Sequence, residues 1–483
     1  MRLWIAIHLH HLSLDSTHTR WHEPERCCAV IEQERIAALS PAARARGLTP
    51  GMRRASALAL APDAELQVRD PAAETSRLHE AALALLQYTP QLALREPDAL
   101  LLDVGASLQL FRGPRALARR VRATLAALNL SARLGMAPTA QGAWLLALGK
   151  APPALHMDSL IRRLDRLPLT LLAEAASQAS WLQGLGCATL ADTRALPRGG
   201  LQRRAGTALL LALDRAYGLA NEAHRWHEPP PRFAARIEFM DYVEQADALM
   251  SVAARLTEQL SGWLHARRRA VRSMTLSLEH ERGRRAREPS LLTLAMAEPI
   301  WHNSHLLGLL RERLARFELA APVIAVVLSA QETETPVVAS QTLFPEPGGN
   351  AADHARLLDL LAARLGPAAV RQAYPQADHR PEVANQWQPA HQGLRLRDTP
   401  PAGPLDRPFW LVEPARALQE RGHRPIYQGQ PLRLLRGPER IESGWWDATL
   451  TQRDYFVAED EAGARYWLYR EHGEHWFLHG LYA

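Results

Sequence analysis

The stretch Glu96–Gly113, EPDALLLDVGASLQLFRG, decides how this chain is read. Ala99–Val104 is apolar apart from Asp103, the pattern of a short buried strand. Leu108–Phe111 is expected to continue it as a hairpin. The informative position is the one beside Asp98. Phosphoryl transfer on two hard cations needs neighbouring carboxylates, because Mg²⁺ prefers carboxylate, phosphate and water oxygens. Here the neighbour is Ala99, a methyl group. At the N-terminus a strand candidate, Leu3–Ile7, runs into His8-Leu9-His10-His11, which sets His8 and His10 on one strand face. A neutral imidazole supplies neither the charge nor the donor such cations prefer.

The segment PDALLLDV resembles the palm-domain catalytic segment of Y-family (translesion) DNA polymerases, roughly S-x-D-E-A-[FY]-L-D-V. Aligned on Asp103-Val104, Asp98 takes the place of the catalytic aspartate and Ala99 that of the catalytic glutamate. His8 falls where the family's N-terminal D-x-D-x-F carries its metal-bridging aspartate. Ser40–Met52, SPAARARGLTPGM, resembles the fingers segment N-Y-E-A-R-x-x-G-[VI]-x-x-G-M. Arg44, Gly47, Gly51 and Met52 match, with Arg44 at a triphosphate-holding position. Pro41 replaces the tyrosine and offers neither a hydroxyl nor an N–H to a phosphate. The family's second basic triphosphate ligand falls around Lys150. The resemblance implies a degenerate catalytic site (His8, Asp98, Ala99), a nucleotide-binding remnant at Arg44, no bound metal and no cofactor.

The C-terminus resembles the ImuB family, the catalytically inactive Y-family homologues of bacterial mutasomes. The carrying residues are Asp378–Glu382 (DHRPE), Gly437–Asp447 (GPERIESGWWD), Arg453–Phe456 (RDYF) and Trp476–Ala483 (WFLHGLYA). This resemblance implies a non-catalytic scaffold for translesion synthesis and induced mutagenesis in the SOS response to DNA damage. The implied partners are primer-template DNA, the β sliding clamp, an ImuA-like RecA-related protein and an error-prone C-family DNA polymerase.

Composition sets the outer limits. At 483 residues, 47% of them hydrophobic, the chain is long enough for several domains. No apolar run reaches the roughly 18 residues a membrane span needs, and the N-terminus does not read as a signal peptide. Cys27, Cys28 and Cys187 form no disulfide or zinc pattern by spacing, so a reducing cytoplasm is expected. A net charge of +6 suits a polyanionic partner. Lys150 is the only lysine, which a GC-rich coding sequence explains.

The expected architecture is multidomain α/β. Residues 1–152 read as palm and fingers, with amphipathic helices over Arg69–Pro90 and Pro114–Ala126. Residues 153–228 read as a helical thumb, and 229–335 as a β/α little finger. Residues 336–405 read as a linker with a short helix, and 406–483 as a strand-rich partner-binding module. In the thumb, Gly184-Leu185-Gly186 resembles a helix-hairpin-helix turn, whose glycines let backbone N–H groups approach a phosphate. Arg198, Arg203 and Arg204 follow it; a plain turn between packed helices is the alternative. In the little finger, Arg267, Arg268, Arg269 and Arg272 join Arg282, Arg284, Arg285 and Arg287 as a candidate DNA-backbone surface, with a solvated loop as the alternative.

Gln341, Leu343 and Phe344 resemble a sliding-clamp peptide, although Gln341 stands one residue too close to Leu343. Six of thirteen tryptophans lie from Trp387 onward, a density that suits either core filling or partner contact. The contact candidates are Trp445, Trp446, Tyr455, Trp476 and Phe477. Two rival readings remain: an active translesion polymerase with rearranged ligands around Asp98, Asp103 and Glu96, and a transition-metal site among His8, His10, His11, His18 and His22.

Overall fold

The structure is a computed structural model that describes residues 2–18, 20–245, 249–281, 287–336, 351–390, 407–446, 450–471 and 475–482. It divides into two compact units, residues 1–350 and 351–483.

The first unit begins with β1 (Trp4–His8) and α1 (Leu12–Thr17), then β2 (Cys28–Glu32) and β3 (Arg35–Leu39). Next come α2 (Pro41–Ala45), α3 (Arg54–Leu60), β4 (Glu65–Val68), α4 (Pro71–Leu85), β5 (Leu92–Arg95) and β6 (Ala99–Asp103). α5 (Pro114–Ala127), β7 (Arg133–Ala137) and α6 (Ala140–Leu148) follow. β1 pairs antiparallel with both β6 and β7, giving the sheet order β5-β6-β1-β7. Side-chain alternation along β1 divides the interior in two. Leu3, Ile5 and Ile7 join the core built with α4 and α5, whereas Trp4 and Ala6 join the core built with α6. A second sheet, β3-β2-β4, has its own small core of Cys27, Ala29, Ile31, Ile36, Leu39 and Leu48.

Local chemistry starts and stops these elements. Asp70 accepts from the N–H groups of Ala72 and Ala73, and Pro71 opens α4 where its missing N–H costs nothing. The helix expected over Arg69–Pro90 accordingly runs Pro71–Leu85. Leu108–Phe111 is not a strand. Asp103 Oδ1 accepts from Gly105 N–H, the chain turns through Gly105–Ser107, and β6 finds its hairpin partner upstream in β5.

A helical stretch follows: α7 (Met157–Leu164), α8 (Ala173–Ala176), α9 (Ala179–Gly184), α10 (Leu190–Ala195) and α11 (Arg198–Ala216), the last broken at Gly206. Its leucines extend the core beside α6. Then β8 (Ala234–Val243), α12 (Leu249–Arg267), β9 (Ala270–His280), β10 (Ser290–Ile300), α13 (Asn303–Leu314) and β11 (Val323–Glu334) make a βαββαβ module with sheet order β10-β9-β11-β8.

α12 packs against α4 so closely that a side chain at Gly262 would meet Leu83 O at 1.9 Å and Ala84 Cα at 2.8 Å. Polar groups close the same seam. Arg255 reaches Glu80 at 3.0 Å, and Glu80 also holds the buried Arg77. Glu258 accepts from Gln87 at 3.1 Å and from Asn303 at 2.7 Å.

The second unit has α14 (Ala351–Leu365), then a hairpin of β12 (Arg371–Pro375) and β13 (Asn385–Pro389) within the stretch read as linker. A seven-stranded sheet follows: β14 (Trp410–Arg421), β15 (Arg424–Tyr427), β16 (Gln430–Pro431), β17 (Arg433–Ser443), β18 (Thr451–Glu459), β19 (Arg465–Glu471) and β20 (His475–Leu481). Its order is β16-β15-β14-β20-β19-β18-β17, with every pairing antiparallel.

The α4–α12 seam makes two glycines of similar helical setting behave oppositely. Gly262→Ala should cost about 1–3 kcal/mol or more, because the obstructing atoms are backbone. Gly308→Ala, in α13 with nothing within 4 Å of the new methyl, should be neutral or stabilising by about 0.5–1 kcal/mol. Urea denaturation of both variants measures the contrast.

Candidate functional site

The register of β1 and β6 sets His8 directly across from Ala99, and that of β1 and β7 sets His8 across from Arg133. His8 Nε2 lies 3.3 Å from Asp98 Oδ2, and Leu9 N–H donates to Asp98 O at 2.8 Å. Ala99 is fully buried. Trp144 of α6 meets the His8 ring edge-on at 5.2 Å, and Arg95 lies over Trp144 while donating to Gln141 Oε1 at 2.9 Å. Asp98 is thus met by an imidazole rather than a second carboxylate. Asp103 cannot join it: five residues along an extended strand is roughly 16 Å, and Asp103 is paired with Arg2 at 3.3 Å.

His10 and His11 add two further imidazoles at this end. Their rings lie 4.3 Å apart, and His11 packs on Trp21 at 4.8 Å. Asp15 fixes this corner by accepting from Trp21 Nε1 at 2.8 Å and from Ser131 N–H at 2.8 Å. Burial, with help from His11 and Arg133, holds the His10 imidazole down to about 4. Burial also lowers His11, with Arg133 and Arg44 acting the same way and Asp15 opposing. The buried Nδ1 atoms of His8 and His10 have no hydrogen-bond partner. Among the described residues, no three metal-ligating groups drawn from His8, His10, His11 and His22 come within reach of one ion.

Arg44 is exposed on α2, close enough to His11 to act on it electrostatically. The other fingers-type matches have backbone reasons. Gly47 and Gly51 sit at φ +85° and +83°, and Met52 packs into the small core. Pro41 is the first residue of α2, behind Ser40, whose Oγ accepts from Ala43 N–H.

Gly184 and Gly186 lie exposed in the α9–α10 turn, with Gly186 at φ +83°. The N–H groups at the start of α10 are already taken, because Asp192 Oδ2 accepts from Ala188 and Thr189. Those contacts hold the Asp192 carboxyl below its ordinary range. Arg203 and Arg204 are exposed and share an open groove of about 440 Å³ with Trp181 and Leu185. Arg198 is drawn away into a bidentate pair with Asp214 at 2.7 and 2.8 Å.

Four of the candidate arginines of the βαββαβ module are also tied down. Arg267 donates to Pro229 O at 2.5 Å, Arg269 to Thr333 O at 2.6 Å, and Arg287 to Ala320 O. Arg272 pairs with Glu334 at 2.6 Å. Arg268 is exposed at the end of α12. Arg282, Arg284 and Arg285 lie outside the described residues, as do Gln341, Leu343 and Phe344.

At the C-terminus the aromatic candidates separate. Trp445 and Trp446 are 77% and 54% exposed. Tyr455 and Trp476 are core residues, which corrects their reading as partner contacts, and Phe477 stacks on Tyr469 at 4.9 Å. Tyr455 stacks on Trp467 at 4.1 Å and bonds His479 Nδ1 at 2.9 Å. Spacing alone did not reveal that the separated motifs converge. Asp378 binds Arg380 at 2.7 Å and accepts from Ser443 Oγ at 3.4 Å, while Glu382 pairs with Arg453 at 2.9 Å and lies 3.9 Å from His479. The Arg380 guanidinium and N–H hold the Asp378 carboxyl down to about 2. The signal was present in DHRPE itself, whose alternating charges need partners once Arg380 is buried.

Residues 21–147 match the impB/mucB/samB family. The chain is similar to Protein ImuB of two strains of Caulobacter vibrioides, NA1000 and ATCC 19089. Each is 28% identical over 474 residues, covering 90% of this chain and all of the relative. The resemblance to ImuB read from the sequence is thereby borne out. Solved structures with similar chains include an insertion ternary complex of Dbh DNA polymerase and a Dbh–Dpo4 chimera. They are 15% and 16% identical, each covering 68% of this chain and 98% of that chain at a TM-score of 0.40. No helix among the described residues is long and apolar enough to cross a membrane.

Two outcomes follow from this geometry. The folded state binds fewer protons than the unfolded chain between the ordinary histidine range near 6.5 and the His10 value near 4. Stability should therefore fall as pH drops through that window, and His10→Gln should flatten the fall; NMR titration and urea midpoints against pH read both. Trp476→Ala should cost about 3–5 kcal/mol, whereas Trp445→Ala should stay within about 0.5 kcal/mol by thermal unfolding.

Proposed function

We propose that this chain is a non-catalytic, Y-family-like scaffold for DNA-damage-induced translesion synthesis. It binds primer-template DNA and the β sliding clamp, and with an ImuA-like RecA-related protein it brings in an error-prone C-family polymerase. The observation that carries this reading is the pairing of His8 with Ala99 across β1 and β6, with Arg133 on the other side. Two-metal transfer needs a cluster of anionic oxygens, and beside the lone Asp98 carboxylate this end of the sheet offers imidazoles, a methyl group and guanidinium. An active polymerase with rearranged ligands would need a second carboxylate beside Asp98. Glu96 is exposed on the hairpin turn, and Asp103 lies at the other end of its strand.

In this reading residues 1–152 are palm and fingers, 153–228 a thumb and 229–335 a little finger. Residues 336–405 connect to the partner-binding module, 406–483, and the assembly works in the cytoplasm. DNA contact falls to the exposed Arg203, Arg204 and Arg268, because the other described candidates are already held by acceptors within the fold. Trp445 and Trp446 are the exposed anchors for a protein partner, large aromatics being typical of such contacts.

Primer extension with Mg²⁺ or Mn²⁺ tests the reading. The expected result is no template-directed extension with primer-template binding intact. Extension gained by His8→Asp/Ala99→Glu would show that the frame still accepts substrates, and extension by the unaltered protein would overturn the proposal. Replacing Arg203, Arg204 and Arg268 by alanine should weaken DNA binding evenly across sequences. The slope of log K against log salt should become shallower by about 0.9 for each arginine on duplex DNA.

A further inference from the structure

Cys28 and Glu65 join His18, the one candidate metal-ligand histidine of the N-terminal cluster not placed above, and none of the three takes part in the proposed function. The fold brings them together beside the sheet β3-β2-β4. β2 and β4 pair in parallel with Cys28 directly opposite Glu65, and Glu65 N–H donates to Cys27 O at 2.8 Å. His18 closes α1, its N–H bonded to Leu14 O at 2.8 Å, and is 4% exposed. His18 Nδ1 lies 3.7 Å from Glu65 Oε2, and Cys28 Sγ lies 3.7 Å from the same oxygen. One ligand atom from each of the three residues lies within 4.8 Å of the other two. His18 Nε2 is buried with no hydrogen-bond partner.

We propose that His18, Cys28 and Glu65 form a binding site for a single borderline divalent transition-metal ion, zinc being the natural occupant. Three arguments support it. Metal–ligand bonds of about 2.0–2.3 Å at tetrahedral angles put donor atoms roughly 3.3–3.8 Å apart, the spacing already present around Glu65 Oε2. Thiolate, imidazole and carboxylate together select zinc-like ions over Mg²⁺ or Ca²⁺, which demand all-oxygen sites. A thiolate and a carboxylate balance the charge of the ion. The neighbouring Arg26 lies 3.6 Å from Glu65 Oε1, which orients the carboxylate and leaves Oε2 toward the thiol and the ring.

The role is structural. The ion would pin the segment from α1 to β2 onto the small sheet, and Ser40 couples that clasp to α2. Ser40 Oγ accepts from Cys28 N–H at 3.1 Å and donates to Arg26 O at 2.9 Å, and the same hydroxyl caps the helix that carries Arg44. The three protein donors leave a fourth tetrahedral position for water.

The test uses the full-length protein, stripped with a chelator and reloaded with Zn²⁺ or Co²⁺. One ion per chain is expected, with a thiolate-to-Co²⁺ charge-transfer band in the near ultraviolet and a rise in melting temperature on Zn²⁺ addition. Cys28→Ser should abolish the band. Glu65→Gln and His18→Gln should weaken Zn²⁺ binding at least tenfold, while Cys27→Ser and Cys187→Ser should leave it unchanged. Glu65 is half exposed, so Glu65→Gln keeps the core and decides the matter even if Cys28→Ser unfolds. Absence of a charge-transfer band in the unaltered protein, or Zn²⁺ affinity untouched by Glu65→Gln, would overturn the site.

Discussion

The pairing of β1 with β6 on one side and β7 on the other is the constraint from which the rest of the first unit follows. A central strand buried on both faces fixes its register tightly, because a slip of one residue would carry every side chain to the wrong layer. Leu3, Ile5 and Ile7 must face α4 and α5, and Trp4 and Ala6 must face α6. His8 then has no freedom in where it emerges. It stands at the strand's end against Ala99, Arg133 and the edge of Trp144. The chemistry of the site is a consequence of packing.

That consequence has a sign. Neutral imidazoles at His10 and His11 offer Mg²⁺ no anionic oxygen, and Arg133 and Arg44 nearby repel a bare divalent cation. The depressed His10 imidazole belongs to the same picture: burial and neighbouring positive groups keep it neutral, so the cluster avoids stacking up charge. The α4–α12 seam adds rigidity to the frame around it. Gly262 allows backbone contact, and the Arg77–Glu80–Arg255 and Glu258 networks pair part of the polar surface that the close approach buries, leaving Arg77 Nε, Arg255 Nε and Asn303 Oδ1 without a hydrogen-bond partner.

Much of this was legible in the residues. Periodicity located α4, α5 and the strands β1 and β6 within a few positions, because each buries one face or one stripe. Identity alone carried the substitutions at His8 and Ala99. Less legible was Leu108–Phe111, whose three apolar residues around Gln109 read as strand although the chain turns after Asp103 accepts from Gly105 N–H. The hairpin β12-β13 was hidden in a proline-bearing stretch whose strands are largely exposed and so lack an apolar alternation.

The sequence by itself determined which chemical groups stand at each position and which short segments fold locally: a methyl at 99, an imidazole at 8, helices and strands of known amphipathicity. Only the tertiary structure decided who meets whom. It engaged Arg198 with Asp214 and Arg272 with Glu334, left Arg203 and Arg204 open, sank Tyr455 and Trp476 into the core while exposing Trp445, and laid Cys28 against Glu65. The physical reason is range. Propensity and periodicity act over a turn or a strand, whereas ion pairing, burial and ligand convergence depend on strand register and helix docking between residues tens of positions apart.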